Sequence, residues 1–193
     1  IYRGTFRDFI YDICAKNTLF NKLTKVDKRQ GKRQEKEELI LRFFALIDNY
    51  NKYPLRTGVA KFLDEYLDKK NKEFSHLKYS NAKELKNQLE NDAKLNDYHI
   101  HFKEVLETVN KYFRYGFCKS NLPQVSRIYF EAISVGTYLA LKKKPQLSTS
   151  KEAVNKWLHS SEFKNIISGK YHTHTPKRIK QRGEYVRDKL LGL

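Results

Sequence analysis

No methionine occurs anywhere in the sequence, and proline and glycine are scarce, at four and eight of 193 residues. Scarcity of the two strongest helix breakers excludes a loop-rich or collagen-like chain and leaves long stretches open to helix. Two cysteines, Cys14 and Cys118, are too few for a disulfide framework. Far apart in a basic chain, they read as small buried hydrophobes in a reducing compartment. No apolar run approaches the roughly 18 to 20 residues a membrane span needs. Nor does Ile1-Tyr2-Arg3-Gly4 open a leader with a charged start, an apolar stretch and a small-residue cleavage site. A cytoplasmic chain with no membrane partner is the expectation. Ile at position 1, with no Met, suggests a piece of a longer protein.

What is abundant is bulk and positive charge. Thirteen Tyr and twelve Phe supply the volume for a core, so the chain is not a disordered tail. Charged residues make up 32% of the chain, and the mean hydropathy of -0.76 implies a heavily solvated surface. Net charge is +17, from 39 Lys and Arg against 22 Asp and Glu. A field of that size attracts polyanions, of which nucleic acid is the commonest; a generally Lys-rich composition is the bland alternative.

Helical periodicity fills the gaps between breakers. Phe6, Phe9, Ile10 and Ile13 share a face, and Leu19, Phe20 and Leu23 make a second short helix. Leu39, Ile40, Phe43, Phe44, Leu46, Ile47 and Tyr50 form a strong amphipathic stripe that Pro54 stops. Val59, Phe62, Leu63, Tyr66 and Leu67 repeat it. Ser80 is the expected N-cap of a helix bearing Leu85 and Leu89, continuing through Phe102, Val105, Leu106 and Val109 with a break near Asn96-Asp97. Pro123 is expected at the first turn of a helix running to Lys142-Lys143-Lys144, where cations suit the C-terminal dipole and Pro145 ends the element. Thr149 and Glu152 have capping-box spacing, and Thr175-Pro176 reads as N-cap and first helical residue. Strand alternation, hairpin turns and repeats are missing. The expectation is all-α: one domain over 1–193, an irregular bundle of about eight or nine helices.

Candidate chemistry is thin. His99-Ile100-His101 and His172-Thr173-His174 have no Cys or carboxylate cluster to complete a metal site, so exposed polar histidines are expected. His172 and His174 precede a helix start and could touch phosphate. No Gly-rich phosphate loop, Gly-x-Ser-x-Gly elbow or His-Glu-x-x-His occurs. Glu35, Glu37 and Glu38 fit a helix N-terminus better than a paired acid and base. No cofactor, and no enzyme activity for this chain alone, is expected. Two basic segments remain as nucleic-acid candidates: Lys28, Arg29, Lys32 and Arg33, and Lys177, Arg178, Lys180 and Arg182. Cations at a helix N-terminus oppose the dipole, and a bound phosphate would turn that cost into a site. A merely solvated face is the competing reading.

Several stretches occur together in a familiar order. They are Ile1-Tyr2-Arg3-Gly4-Thr5-Phe6-Arg7-Asp8-Phe9, Leu41-Arg42-Phe43-Phe44-Ala45-Leu46, Lys61-Phe62-Leu63-Asp64-Glu65-Tyr66 and Val125-Ser126-Arg127-Ile128-Tyr129-Phe130-Glu131-Ala132-Ile133-Ser134-Val135-Gly136. The last is Arg182-Gly183-Glu184-Tyr185-Val186-Arg187-Asp188-Lys189-Leu190-Leu191-Gly192. This order resembles the C-terminal helical region of the GmrSD-type restriction-system family, over nearly the whole chain. The family's N-terminal half is a ParB/sulfiredoxin-like domain with a nucleotide-hydrolysing Asp-Gly-Gln-Gln-Arg motif. Neither that motif nor the HNH nuclease motif of some members is present here. Gly183 departs from the pattern, standing where a β-branched apolar residue is expected.

The resemblance implies a role in a restriction or anti-phage defence protein and transfers no active-site residue. Two functions follow as expectations. One is contact with DNA backbone through the basic patches. The other is a structural, regulatory or assembly domain that packs on an NTPase-like N-terminal half or forms a homo-oligomer. Tyr2, Phe6 and Phe9 would then form its exposed interface.

Overall fold

A computed structural model describes residues 3–26, 35–50, 58–121, 125–168 and 175–193. Among them are ten α-helices, one π-helix and no strand, only a single antiparallel bridge between Cys118 and Val125. The helices are α1 (Thr5–Asp8), α2 (Thr18–Leu23), α3 (Glu35–Asp48), α4 (Val59–Glu73), α5 (Ala82–Asn91), α6 (Ala93–Tyr112), α7 (Arg127–Lys143), α8 (Lys151–Leu158), α9 (Ser161–Ile167) and α10 (Pro176–Leu191). The π-helix, Phe9–Cys14, continues α1 directly. The all-α expectation holds, and no helix among the described residues is long and apolar enough to cross a membrane.

Caps place the boundaries. Thr175 accepts from the Arg178 N–H at 3.4 Å with Pro176 in the first turn, as expected. Elsewhere the caps move by a residue or more. Asn81, not Ser80, caps α5, accepting from the N–H groups of Lys83 and Glu84, while the Glu84 carboxylate takes the Ser80 N–H at 2.7 Å. The break between α5 and α6 falls at Asp92, whose carboxylate accepts from the Leu95 N–H at 2.8 Å, rather than near Asn96-Asp97. A carboxylate there satisfies an orphan donor that mid-helix residues lack. Ser150 caps α8 in place of Thr149. Helix α7 begins after Ser126, later than the Pro123 start expected; Pro123 and Pro54 lie outside the described residues.

Helix α7 is the centre of the bundle. Ten of its positions are buried (Tyr129 to Thr137 without a gap, then Ala140), and it packs on α3, α6 and, most extensively, α10. A helix buried all round needs small residues where neighbours cross. Gly136 supplies one: a Cβ there would lie 2.5 Å from Val186 Cβ and 2.8 Å from the Gly183 carbonyl oxygen. Gly183 itself is roomier, its Cβ position meeting Val135 Cγ1 at 3.4 Å and Leu139 Cδ1 at 3.7 Å.

Phenylalanine does the filling that methionine does elsewhere. Phe6, Phe44, Phe74 and Tyr98 meet at ring separations of 5.3–6.2 Å, largely edge-on, which stabilises by about 0.5–1.5 kcal/mol per pair beyond area burial. Phe6 and Phe9 are 0% exposed, so they belong to this core and form no outward interface. Tyr2 lies outside the described residues. Cys14 and Cys118 are buried and not joined in a disulfide, as expected of small hydrophobes.

Beside the aromatic cluster sits a buried cation. The Lys70 ammonium is 2.9 Å from Asp48 Oδ2 and 3.0 Å from Glu73 Oε2, and it donates to the Tyr98 hydroxyl at 2.5 Å. The Tyr66 hydroxyl donates to Asp48 at 3.0 Å. Burial works against the Lys70 charge, but hydrogen bonds to Tyr98 and Asp48 outweigh it and hold its pKa above the usual lysine value. Burial first, then the bond to Asp48, pushes the Tyr98 hydroxyl up to about 12.

Two predictions follow from this packing. Gly136→Ala should lose about 1–3 kcal/mol of stability in urea unfolding through overpacking, whereas Gly183→Ala should be neutral or stabilising by up to about 1 kcal/mol. Equal losses at the two sites would contradict the geometry. The folded pKa values of Lys70 and Tyr98 lie above their unfolded values. Both groups therefore contribute stability that is present below the unfolded pKa values and lost as pH rises. Thermal melts should fall between about pH 10 and 12. The fall should be shallower in Lys70→Met and Tyr98→Phe, both already less stable at pH 7.

Candidate nucleic-acid interface

Lys177 and Arg178 are exposed, and Arg178 donates through Nη1 to Gln181 Oε1 at 3.3 Å. Lys180 is half-buried, with its ammonium 5.6 Å from the centre of the Tyr50 ring, and its carbonyl accepts from the Tyr50 hydroxyl at 3.4 Å. Arg182 departs from expectation. It is 2% exposed and donates from Nε to the Arg178 carbonyl at 3.2 Å, so it serves the interior and offers nothing to a ligand at the surface. The helical repeat explains the split: Ile179, Arg182, Gly183 and Val186 face inward, and Lys177, Arg178 and Gln181 face water. Lys28, Arg29, Lys32 and Arg33 lie outside the described residues, as do His172 and His174.

The fold adds cations that were not grouped with these. Helices α7 and α10 run antiparallel. Leu139 and Val135 meet Gly183 and Ile179, while Tyr129, ten residues earlier than Leu139, reaches Tyr185 through their shared neighbour Phe163. The C-terminal end of α7 therefore lies beside the start of α10. Lys142, Lys143 and Lys144, all exposed, join Lys177, Arg178 and Lys180 at one end of the helix pair. The α10 dipole adds partial positive charge and first-turn N–H groups there.

The two segments that meet there, residues 132–151 and 163–183, carry no carboxylate, although Glu184, next in sequence, reaches Tyr50. None of the six cations has an ion-pair partner among the described residues, whereas Arg42, Lys70, Arg127 and Arg187 are each held by two carboxylates. Charge is thus sorted: paired in the interior and around α3, unpaired at the α7–α10 end.

Other chemistry is sparse. Among the described residues no group of three or more His, Cys, Asp or Glu could hold a metal ion. His99 and His101 are not the free surface histidines expected. His99 is half-buried with its ring edge-on to Phe9, and burial, reinforced by Lys103 and Lys86, lowers its pKa. His101 packs against Tyr138, with ring centres 5.2 Å apart. Comparison of the chain with protein-family models, curated proteins and solved structures finds no match in any of the three.

Substitutions should separate the surface cations from the buried one. Lys177→Ala is expected to change stability by less than about 0.5 kcal/mol, as surface changes do. Arg182→Ala should cost about 1–3 kcal/mol, because a buried polar contact is broken. Matched urea melts would decide it, and a silent Arg182→Ala would return that side chain to the surface set.

Proposed function

We propose that this chain is a non-catalytic helical domain of a restriction or anti-phage defence-type protein and that it contacts the backbone of duplex DNA through its basic surface. One observation carries the reading: two carboxylate-free segments are packed so that six cations, none with an ion-pair partner among the described residues, share one end of the α7–α10 pair. Flexible lysines and a helix N-terminus suit phosphate oxygens and do not discriminate base edges. Binding is therefore expected to be insensitive to sequence and steeply dependent on salt.

Fluorescence anisotropy with a duplex of about 20 base pairs tests it. If all six cations meet phosphates, log K should fall with log salt at a slope of about −5, from about 0.9 per phosphate. The triple reversals K142E/K143E/K144E and K177E/R178E/K180E should each weaken binding about tenfold or more near 0.1 M salt and flatten the slope by about 2 to 3. Wild-type affinity and slope in both variants would sink the reading.

A further inference from the structure

A second pair of carboxylate-free segments is brought together elsewhere in the fold. Residues 13–26 and 108–130 contain no Asp or Glu, and the turn after α6 clasps the exit of α2. The Phe117 N–H donates to the Leu23 carbonyl at 3.0 Å and the Val125 N–H to the Lys25 carbonyl at 3.1 Å. Gly116 permits this: its φ is +59°, and a Cβ there would lie 2.6 Å from the Leu23 carbonyl oxygen.

The clasp gathers cations. Lys22 donates to Asn110 Oδ1 at 3.2 Å and Lys25 to Asn121 Oδ1 at 3.3 Å, both neutral acceptors. Lys111, Arg114 and Lys119 are exposed on the same stretch, and none of the five has an ion-pair partner among the described residues. By contrast Lys16 and Arg127, in the same two segments, are bonded to Asp12 and Glu38. Within these two segments the cations without an ion-pair partner among the described residues are therefore those of the clasp, with Glu152 of α8 acting on Arg114 through space.

This surface is tied to the first. The Tyr112 hydroxyl donates to the Leu147 carbonyl at 3.1 Å, between Lys111 and Arg114 on one side and the segment leaving Lys144 on the other. Summing chain reach across that bond puts the Lys111 and Lys144 backbones within about 25 Å of each other. That is shorter than one duplex turn of about 34 Å.

We infer that the clasp of α2 and the α6 turn is a second contact for the same DNA duplex, so that one nucleic-acid molecule is held at two points. This rests on the DNA-backbone reading above. A duplex of about 24 base pairs, roughly 80 Å long, far exceeds that separation and can lie on both surfaces at once. The linked contacts then raise affinity beyond that of either surface alone.

The test uses the triple reversal K22E/K25E/K119E, with K22Q/K25Q/K119Q as a milder version that only removes charge. Reversal should lower affinity for the 24-base-pair duplex about tenfold or more and flatten its salt slope by about 2 to 3. A control with equal net charge, K69E/K83E/K86E on α4 and α5, should keep affinity for the same duplex within about threefold of wild type. If both glutamate variants lose affinity alike, net charge alone is responsible and the inference falls. It falls equally if the clasp variants match wild type while the α7–α10 variants lose binding, a result that leaves the first reading standing. Should no variant on either surface affect binding, the DNA reading fails as a whole.

Discussion

The close approach of α7 and α10 at Gly136 is the contact on which the rest of this molecule depends. Helix α7 is buried along nearly its whole length, and α10 is its largest neighbour. With a Cβ position only 2.5 Å from Val186 Cβ, the backbones of the two helices sit at a separation that no larger residue allows. That contact, with Gly183 against Val135 and Leu139, sets the register of the antiparallel pair. The register in turn sets Lys142, Lys143 and Lys144 beside Lys177, Arg178 and Lys180. A one-turn slip, about 5.4 Å along the axis, would pull the two groups apart and also expose Ile179 or Val186.

Charge distribution follows a single logic. Ion pairs that are removed from water are costly unless their geometry is good, and here the carboxylates are placed where they complete such geometry. Arg42 donates to Glu38 and Glu131 at 2.7 Å, joining α3 to the second turn of α7, while Lys70 joins α4 to Asp48 at the end of α3. Glu131, Glu38, Asp48 and Glu73 are committed to the interior and its margins, and the other acids lie outside the segments 132–151 and 163–183 that carry the cations of the α7–α10 end. A net charge of +17 thereby becomes local fields instead of an even coat. Each field lies well within reach of a polyanion, because the Debye length near physiological salt is about 8 Å.

Much of the helical architecture was legible. Phe43, Phe44, Leu39 and Ile40 form the stripe that the 3.6-residue period predicts, and all four are buried. Thr175-Pro176 starts α10 because an oxygen acceptor followed by a pre-set φ is a local device that needs no tertiary partner. Where several polar residues compete for one cap, local reasoning slipped. Asn81 displaced Ser80 and Ser150 displaced Thr149, each choice turning on how the preceding segment enters the helix.

The candidate site was half legible, for a physical reason. Sequence by itself determined that the chain is all-α, that its core is aromatic, and that α10 opens with cations. These follow from periodicity, composition and spacing, which act within a few residues. It could not separate Arg182 from Lys177, since a guanidinium on the inward face of a helix has no local signature until a neighbouring helix covers it. Nor could it show that Phe6 and Phe9 are enclosed or that Lys142, Lys143 and Lys144 are more than a helix end. Only tertiary structure decided those, because burial and charge proximity between residues some thirty-five positions apart are properties of the packed register of α7 on α10.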